Sequence, residues 1–322
     1  IIYTSGSTGM PKGVPITHAN LSPLLHWGYK HLGIGSKDRV LQNLSYYFDW
    51  SVWEIFITLT GGAALYIPAD ELQLDPAVKA DYIDTNKITV LHITPTQYSY
   101  LVNLGRKLET LKYLFIGAEK LTTELLKRSF ESVGEDCRVF NMYGPTEATI
   151  ISAVLEARRS EENEFDNLST VPIGRPVGNG SLLVLNKSNN LCPLNIPGEL
   201  YIGGDGVAGG YLNNPELAVE KFNRSYRSYK TYTFYKTGDL ARWLDNGNIE
   251  FLGRIDQQVK IRGFRIELGE IENCLLTHPE IKEAVVIAKE EGMGGQKEYN
   301  LCAYVAAARE LKTSELREYL SA

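Results

Sequence analysis

Residues 4–13, TSGSTGMPKG, are the most informative stretch of this sequence for its fold, and they follow a short β-rich start, Ile1-Ile2-Tyr3. Its ten residues hold three glycines, four hydroxyl side chains and one lysine, Lys12. Glycines let backbone N–H groups approach phosphate oxygens, and hydroxyl and ammonium groups add donors and positive charge. The Walker spacing GxxxxGK[ST] cannot be placed on it. Composition alone leaves two interpretations open, a phosphate-binding loop and an ordinary flexible loop.

The chain downstream of this loop alternates between short β-rich runs and amphipathic stretches as far as about residue 150. Strands are predicted at Ala63–Ile67, Ile88–Ile93, Leu111–Ile116 and Cys137–Met142. Helices are predicted near residues 18–32, 50–59, 76–86, 95–104 and 122–133. Strands that alternate with helices of this length indicate βαβ units and a parallel sheet.

The pattern changes twice after residue 150. Residues 151–255 contain short strand-like runs separated by turns rich in Gly, Pro and Asn, such as the hairpin signal Asp245–Asn248, and predict a small distorted β-barrel or sheet. Residues 256–322 alternate strand and helix in a way that suits a small α+β lid. The predicted class is α/β, with a large N-terminal domain over 1–255, made of parallel-sheet βαβ units plus the small barrel, and a C-terminal lid over 256–322.

Bulk composition excludes some partners. The chain has 322 residues and a formal net charge of −6, so no basic surface favours nucleic acid or anionic lipid. No run approaches the roughly 20 apolar residues of a membrane helix. The four cysteines are scattered without a CxxC pair and read as reduced thiols of a cytoplasmic protein. We therefore expect neither a nucleic-acid nor a membrane partner.

The order of residues in 3–13, YTSGSTGMPKG, resembles the signature loop of the adenylate-forming superfamily of acyl-CoA synthetases, luciferases and peptide-synthetase adenylation domains. Four more segments resemble that family's motifs in its order: NMYGPTE at 141–147, GELYIGGDGVAGGYL at 198–212, YKTGDLARW at 235–243 and GRIDQQVKIRGFRIELGEIE at 253–272. The resemblance covers essentially the whole chain. It implies an enzyme that uses ATP to convert a carboxylic acid into an acyl-adenylate.

The resemblance also implies a chain truncated at both ends. The family has a further N-terminal part of the large domain, and its lid ends with a lysine that contacts the substrate carboxylate and the α-phosphate. No residue of this sequence matches that lysine. We therefore expect this stretch of chain alone to adenylate weakly.

The resemblance assigns the phosphates of ATP to two segments. The β- and γ-phosphates fall to Lys12 and to the loop residues Thr4, Ser5, Gly6, Ser7, Thr8 and Gly9. Thr146 is expected to hydrogen-bond the α-phosphate, and Glu147 to hold Mg²⁺, since a carboxylate beside phosphates needs a cation between them. A Thr-Glu pair is also typical of a helix start.

The nucleoside is assigned by the same resemblance. Tyr143, with Gly144 beside it, looks like the ring that stacks on adenine, or alternatively a buried core tyrosine. The base edge is expected to meet Asn141 and the segment Gly117, Ala118 and Glu119. Asp239 is expected to accept both ribose hydroxyls, although a turn or helix cap is an alternative. Phe251 stands where many relatives have Tyr, which removes a hydrogen bond to ribose, and Arg254 is a further candidate nucleotide contact.

Asp49, in the segment Phe48-Asp49-Trp50-Ser51, distinguishes amino acids from other acids. In the amino-acid-activating branch of the family an Asp here pairs with the substrate α-ammonium; the alternative is an N-cap of the following helix. The resemblance lines the side-chain pocket with Trp50, Trp53, His92, Phe115, Gly117, Met142, Ile150 and Ile151. An aliphatic substrate would leave His92 unpaired, so we expect a polar side chain such as Ser, Thr, Gln or Glu.

Asp256 resembles the hinge on which the family's lid rotates between adenylation and thiolation, although any Asp can begin a turn. The loop 260–265 would then face a phosphopantetheine arm, with Gly263 permitting close approach. The implied partners are a peptidyl carrier protein domain and a neighbouring condensation domain.

Three interpretations remain from the sequence. The first is amino-acid adenylation in a nonribosomal peptide synthetase. The second is a stand-alone acyl- or aryl-CoA ligase, against which Asp49 and the segment VKIRGFRIELGEIE speak. The third is a catalytically silent nucleotide-binding or scaffolding protein.

Overall fold

The computed structural model describes residues 1–6, 11–69, 75–161, 164–227, 230–256, 258–261, 264–291 and 298–321. The chain divides into two units, Ile1–Ile2 with Val14–Ile255 and Tyr3–Gly13 with Asp256–Ala322. Within the described ranges, no helix combines the length and the apolar character needed to cross a bilayer.

The chain opens with two short strands, β1 (Ile2–Thr4) and β2 (Lys12–Val14), that pair with each other. Helices then follow in the first unit: α1 (His18–Leu32), α2 (Trp50–Thr60), α3 (Pro76–Asn86), α4 (Pro95–Asn103), α5 (Thr123–Ser132) and α6 (Pro215–Lys221). Thr94 shows why α4 begins where it does, because its hydroxyl accepts a hydrogen bond from the Gln97 N–H and Pro95 occupies the first helical position.

The larger sheet of the first unit has the strand order β4-β3-β5-β6-β7-β8-β9. Its strands are β3 (Arg39–Leu41), β4 (Ala64–Tyr66), β5 (Val90–Ile93), β6 (Tyr113–Gly117), β7 (Arg138–Tyr143), β8 (Ala153–Ala157) and β9 (Arg175–Pro176). Pairs from β4 to β7 are parallel, and β8 and β9 add an antiparallel edge.

The register of the parallel strands lines up residues predicted for the substrate pocket. His92 pairs with Phe115 across β5 and β6, and Gly117 pairs with Met142 across β6 and β7. These residues lie at or near the carboxyl ends of their strands, where open α/β sheets bind ligands. The sheet therefore presents one edge on which a site can be assembled.

The smaller sheet of the first unit is antiparallel, with the order β10-β11-β13-β12 and β14 paired to β13. Its strands are β10 (Gly180–Leu185), β11 (Gly198–Gly204), β12 (Phe222–Arg227), β13 (Lys230–Trp243) and β14 (Ile249–Arg254). The predicted hairpin turn joins β13 to β14, and Gly247 takes the φ of +76° that favours glycine there.

The second unit carries its own small core. Its elements after Asp256 are β15 (Val259–Ile261), β16 (Phe264–Ile266), α7 (Leu268–Leu276), β17 (Ile281–Glu291), β18 (Glu298–Ala307) and α8 (Thr313–Ser321). Strands β15 and β16 form one hairpin, and β17 and β18 another. Leu268, Leu275, Ile281 and Val286 are buried together between helix and sheet.

The α/β class expected from the sequence is confirmed, and the structure differs from the expected layout in several places. Strand β8, assigned to the barrel-like region, belongs with β9 to the larger sheet. Residues Tyr3–Gly13 group with Asp256–Ala322 rather than with the large domain. Strand β3 was not predicted, because its three residues are too few to show a period.

Candidate active site

Asp49 precedes α2 directly and turns its carboxylate towards a distant part of the chain. The side chain is 8% exposed, and its Oδ2 accepts a hydrogen bond from Thr146 Oγ1 at 2.7 Å. Its backbone is helical and its side chain makes no capping bond to α2 within the described residues. Asp49 therefore occupies the N-cap position of α2 without capping the helix through its side chain. The fold brings together two residues that the sequence assigned to substrate and nucleotide.

The segment after β7 makes a strained turn at Thr146. Residues Thr146–Ala148 form one turn of 3-10 helix, and Thr149 and Ile150 follow with φ of +58° and +74°. Positive φ is unusual for β-branched residues, and such strain clusters at functional sites. A Cβ at Gly144 would overlap the Ile150 carbonyl oxygen, so the close approach of these two backbones requires glycine.

Glu147 is fully buried, and the Tyr211 hydroxyl donates to its Oε1 at 2.8 Å. Tyr211 was not predicted as part of the site, although the segment 198–212 that contains it was. Among the described residues no three His, Cys, Asp or Glu side chains cluster as a metal site. A single carboxylate nevertheless fits Mg²⁺ that arrives with nucleotide, because Mg²⁺ typically takes one or two protein carboxylates beside phosphates and water.

Tyr143, Asp239 and Arg254 form a buried hydrogen-bonded group at the end of β7. The Tyr143 hydroxyl donates to Asp239 Oδ2, and Arg254 donates to Asp239 Oδ1 at 2.7 Å. Burial, reinforced by the neighbouring Asp239 carboxylate, raises the pKa of the Tyr143 phenol well above its usual value. Asp239 lies within β13, so the cap alternative does not apply. Both of its oxygens already accept from protein donors, and ribose hydroxyls would have to share or replace them.

Phe251 lies beside Tyr143, with ring centroids 6.2 Å apart and planes tilted by 35°. The Lys120 ammonium lies 5.3 Å from the Phe251 ring centroid. These rings form an apolar wall next to the Asp239 group. A wall of this kind is what a base stacked on Tyr143 would contact.

The side-chain amide of Asn141 is hydrogen-bonded to the protein backbone. Its amide nitrogen donates to the carbonyl oxygens of Val171 and Pro172, at 3.2 and 2.9 Å. Both N–H donors are therefore used to hold the neighbouring backbone. These two N–H groups are thus not available to read the adenine edge, and a contact between Asn141 and the base stays a prediction.

The segment 117–119 is held in an unusual conformation at the end of β6. Ala118 has a φ of +69°. A Cβ at Gly117 would overlap the Met142 carbonyl oxygen and lie 2.8 Å from Trp50 Cη2, so only glycine fits. The Glu119 carboxylate accepts from the N–H and hydroxyl of Thr96, at 3.0 and 2.6 Å, which anchors the segment to the start of α4. The backbone around Ala118 is thus positioned by both neighbours.

The residues predicted for the side-chain pocket share one buried cluster of the first unit. Its members from the prediction are Trp50, Trp53, Phe115, Met142, Ile150 and Ile151, with His92 buried among them. His92 stacks on Phe115 at 4.7 Å and meets Trp50 edge-on at 6.0 Å between ring centroids. Aromatic rings therefore make up much of this wall.

His92 is hydrogen-bonded through one of its two ring nitrogens among the described residues. Its Nε2 accepts from Trp53 Nε1 at 3.0 Å, so the neutral ring carries its proton on Nδ1, which lies 3.8 Å from Glu54 Oε1. Complete burial lowers the pKa of His92 to about 3. Nε2 is thus paired within the protein, whereas Nδ1 has no hydrogen-bond partner among the described residues. That a polar substrate pairs with His92 therefore stays a prediction for Nδ1.

Beneath His92 lies a buried polar group that the sequence did not reveal. Glu54 accepts from the backbone N–H groups of Asn43 and Leu44, and burial raises the pKa of its carboxyl well above the usual value. Lys79 donates to Asn43 Oδ1 at 2.7 Å, and burial lowers its pKa to about 8. Charged residues on the apolar faces of α2 and α3 were the signal that could have found it.

The described part of the phosphate loop is engaged within the second unit. Lys12 is buried with its Nζ 3.9 Å from Glu267 Oε1, and the Gly6 N–H hydrogen-bonds Glu270. The Thr4 hydroxyl oxygen is buried with no hydrogen-bond partner among the described residues. The structure describes this loop as far as Gly6, which includes Ser5. Ser7, Thr8 and Gly9 lie outside the described residues. Carboxylates here contact groups expected to bind phosphates.

Asp256 is exposed, and its Oδ1 accepts from the Gln258 N–H at 3.2 Å. That bond is typical of an Asp that begins a turn. The chain passes from the first unit to the second between Ile255 and Asp256. Rotation at this position stays a prediction.

The known proteins compared here by sequence and by structure are longer than this chain. The chain is 41% identical to bacitracin synthase 3 of Bacillus licheniformis over 323 residues, covering 99% of this chain and 5% of that protein. It matches the adenylation domain AlmE of Vibrio cholerae, solved with glycyl-adenosine-5'-phosphate, with a TM-score of 0.86 and 27% identity over 99% of this chain and 59% of that one.

A third match is an artificially fused adenylation-PCP di-domain NRPS, NpsA-ThdA, from Klebsiella oxytoca. Its TM-score is 0.85 at 27% identity, and the comparison covers 100% of this chain and 57% of that one. The chain therefore spans a small part of bacitracin synthase 3 and somewhat over half of each solved structure. A family model described as AMP-binding enzyme matches residues 1–212, more than half of the chain, and the chain belongs to that family.

Proposed function

We propose that this chain activates an α-amino acid with ATP, forming aminoacyl-AMP and pyrophosphate, as an adenylation domain of a nonribosomal peptide synthetase. The observation that carries the proposal is the contact between Asp49 and Thr146, 2.7 Å apart although 97 positions separate them in sequence. It brings a buried carboxylate suited to an ammonium next to a hydroxyl suited to the α-phosphate.

Asp49 binds the α-ammonium of the substrate. An ion pair at about 4 Å and an effective dielectric near 20 contributes roughly 4 kcal/mol. At about 1.4 kcal/mol per factor of ten, this corresponds to about a thousandfold preference over the deaminated acid. The substrate carboxylate, two bonds from that nitrogen, is thereby held near Thr146.

The chemical step joins a carboxylate oxygen to the α-phosphorus while the bond from that phosphorus to the bridging oxygen of pyrophosphate breaks. The protein contributes positioning and stabilisation of negative charge. The Thr146 hydroxyl, once its proton turns from Asp49 to an α-phosphate oxygen, donates a hydrogen bond there. Lys12 supplies positive charge for the β- and γ-phosphates, together with loop 4–9.

The nucleoside binds near Tyr143 and Phe251, with the ribose hydroxyls exchanging for the present partners of Asp239. Arg254 then keeps the Asp239 carboxylate oriented. Glu147 is the residue that would hold Mg²⁺, which when bound neutralises phosphate charge. Tyr211 orients the Glu147 carboxylate through its hydrogen bond.

The second half-reaction transfers the aminoacyl group to the phosphopantetheine thiol of a peptidyl carrier domain. The thiol sulfur bonds to the acyl carbon, the acyl–phosphate bond breaks and AMP leaves. The similarity to an adenylation-PCP di-domain supports a carrier partner, and a neighbouring condensation domain is proposed with it. Asp256 is proposed as the position at which the lid turns between the two half-reactions.

Amino-acid-dependent exchange of labelled pyrophosphate into ATP tests the function. The panel comprises the standard amino acids, their deaminated analogues, and fatty and aryl acids. We expect exchange with one or a few amino acids, with a polar side chain preferred, and none with the deaminated analogues. Exchange with fatty or aryl acids alone would favour an acyl- or aryl-CoA ligase, and no exchange with any acid would favour a silent nucleotide-binding protein.

A further inference from the structure

Trp50, one of the residues predicted to line the substrate pocket, carries a buried hydrogen-bond donor. It is the first residue of α2, directly after Asp49, and its side chain is 4% exposed. The indole Nε1 is buried and has no acceptor among the residues that the structure describes. Buried donors are nearly always paired, because an unpaired one loses its hydrogen bonds to water.

The neighbours of Trp50 offer little to accept that hydrogen. His92 meets it edge-on, but Nε2 of that ring accepts from Trp53 and Nδ1 carries a proton. Phe115 lies behind His92 and has no acceptor atom. Gly117 lies at the far edge of the indole, where a Cβ in its place would be 2.8 Å from Cη2 and would have no room. The residues around the ring thus leave the acceptor to be supplied from elsewhere.

The ring is also held in place. Packing against Gly117 fixes the six-membered ring of the indole, and the hydrogen bond from Trp53 fixes His92 against it. A phenylalanine would fill such a place with a ring and no polar atom. An immobilised indole is therefore a positioned donor rather than a simple filler.

We propose that Trp50 determines specificity by donating its indole N–H to an acceptor atom on the substrate side chain. The inference rests on the proposed function and narrows it, because the enzyme would select amino acids whose side chain carries a hydroxyl, carbonyl or carboxylate oxygen. Asp49 binds the α-ammonium and the next residue reads the side chain. Trp50 thus adds a second donor to the polar preference expected from His92.

Pyrophosphate exchange with pairs of similar size tests the proposal: threonine against valine, asparagine against leucine, and glutamine against methionine. For the best-accepted pair we expect kcat/KM to favour the acceptor-bearing member by about tenfold or more. In Trp50→Phe that ratio falls towards unity, whereas Trp27→Phe, a change outside the pocket on α1, keeps it. Ratios within a pair do not depend on the fraction of folded enzyme.

A second measurement reads binding without catalysis. The chain has four tryptophans, so ¹⁵N-labelled protein gives four indole N–H signals, and the one missing in Trp50→Phe belongs to Trp50. We expect this signal to shift with the acceptor-bearing member of the best pair and not with its partner. The signal missing in Trp27→Phe should stay in place.

The possible failures are distinguishable. A consistent preference for the apolar member, a ratio unchanged in Trp50→Phe, or an equal loss for both members of each pair would overturn the role of Trp50, while amino-acid activation stands. Equal loss would indicate that the indole binds the α-carboxylate, which every substrate has. If no amino acid supports exchange or shifts any indole signal, the proposed function fails and this inference with it.

Discussion

At the scale of single residues, the neighbours of each side chain at this site determine its hydrogen bonding and protonation. Asp49 is an acceptor for Thr146, and His92 is a neutral ring whose Nε2 accepts from Trp53. Neither arrangement follows from the residue type. Each follows from burial, which removes water as a competing partner and makes an unpaired polar atom costly.

The pH dependence of stability should reveal the buried state of His92. Burial lowers its pKa to about 3 in the folded chain, against about 6.5 when unfolded. Between these values the unfolded state binds a proton that the folded state does not, so stability present above about pH 6.5 is lost as pH falls towards 3. The slope from this one group reaches at most about 1.4 kcal/mol per pH unit.

Urea unfolding of the parent and of His92→Gln across this pH range measures that contribution. Glutamine can still accept from Trp53 but does not titrate, so the variant should lose less stability than the parent on acidification. Parallel pH profiles for the two proteins would contradict the assignment of a neutral, buried His92.

Elements supply the next level of constraint. The turn that follows β7 places Thr146 and Glu147, and it depends on Gly144 passing close to Ile150. The strands β1 and β2 present Lys12 to the start of α7, where Glu267 and Glu270 lie. In both cases backbone geometry, rather than the reactive side chain alone, decides what the side chain can contact.

Replacing Gly144 by alanine should disturb the turn. Its Cβ would overlap the Ile150 carbonyl, and the resulting backbone shift should lower the free energy of unfolding by about 1–3 kcal/mol and reduce pyrophosphate exchange. Gly209→Ala is the matched control, because a Cβ there meets no atom within 4 Å. Equal stability and exchange of the two variants would show that the turn tolerates a side chain.

The ion pair between Lys12 and Glu267 should compete with phosphate for the same ammonium. Replacing Glu267 by glutamine removes the competing charge, so we expect KM for ATP to fall a few-fold, on the order of 1 kcal/mol for a partly buried pair. Glu315→Gln on α8, which breaks an exposed pair with Arg309, is the control. An unchanged or higher KM in Glu267→Gln would contradict competition.

At the scale of the whole molecule, local pattern predicted the elements and long-range contact decided the site. Helices α1 to α5 and strands β5 to β7 were predicted within about two residues of their bounds, because apolar period and caps are local signals. The three residues of β3 are too few to show a period. The place of β8 in the larger sheet could not be predicted locally, because its pairing with β7 is a tertiary contact.

In the candidate site, too, the sequence predicted individual residues, whereas the fold determined which of them are in contact. The family motifs named Asp49, Thr146, Tyr143 and Asp239, and the fold then paired Asp49 with Thr146 and Tyr143 with Asp239. No local pattern could reveal these pairs, because 97 and 96 positions separate their members. Asn141 was assigned to the base, yet its amide holds the backbone of a segment 30 residues away, which only the folded chain shows.

Replacing Asp49 by asparagine tests most directly whether the fold builds an amino-acid site at this carboxylate. Asparagine can still accept from Thr146 but has no charge, so kcat/KM for the preferred amino acid in pyrophosphate exchange should fall about a thousandfold, for a loss of roughly 4 kcal/mol. The exposed control Asp136→Asn should keep the parent rate. The predicted result is a thousandfold loss in Asp49→Asn together with a smaller ratio of kcat/KM for the amino acid to kcat/KM for its deaminated analogue. An unchanged ratio in Asp49→Asn would contradict the account.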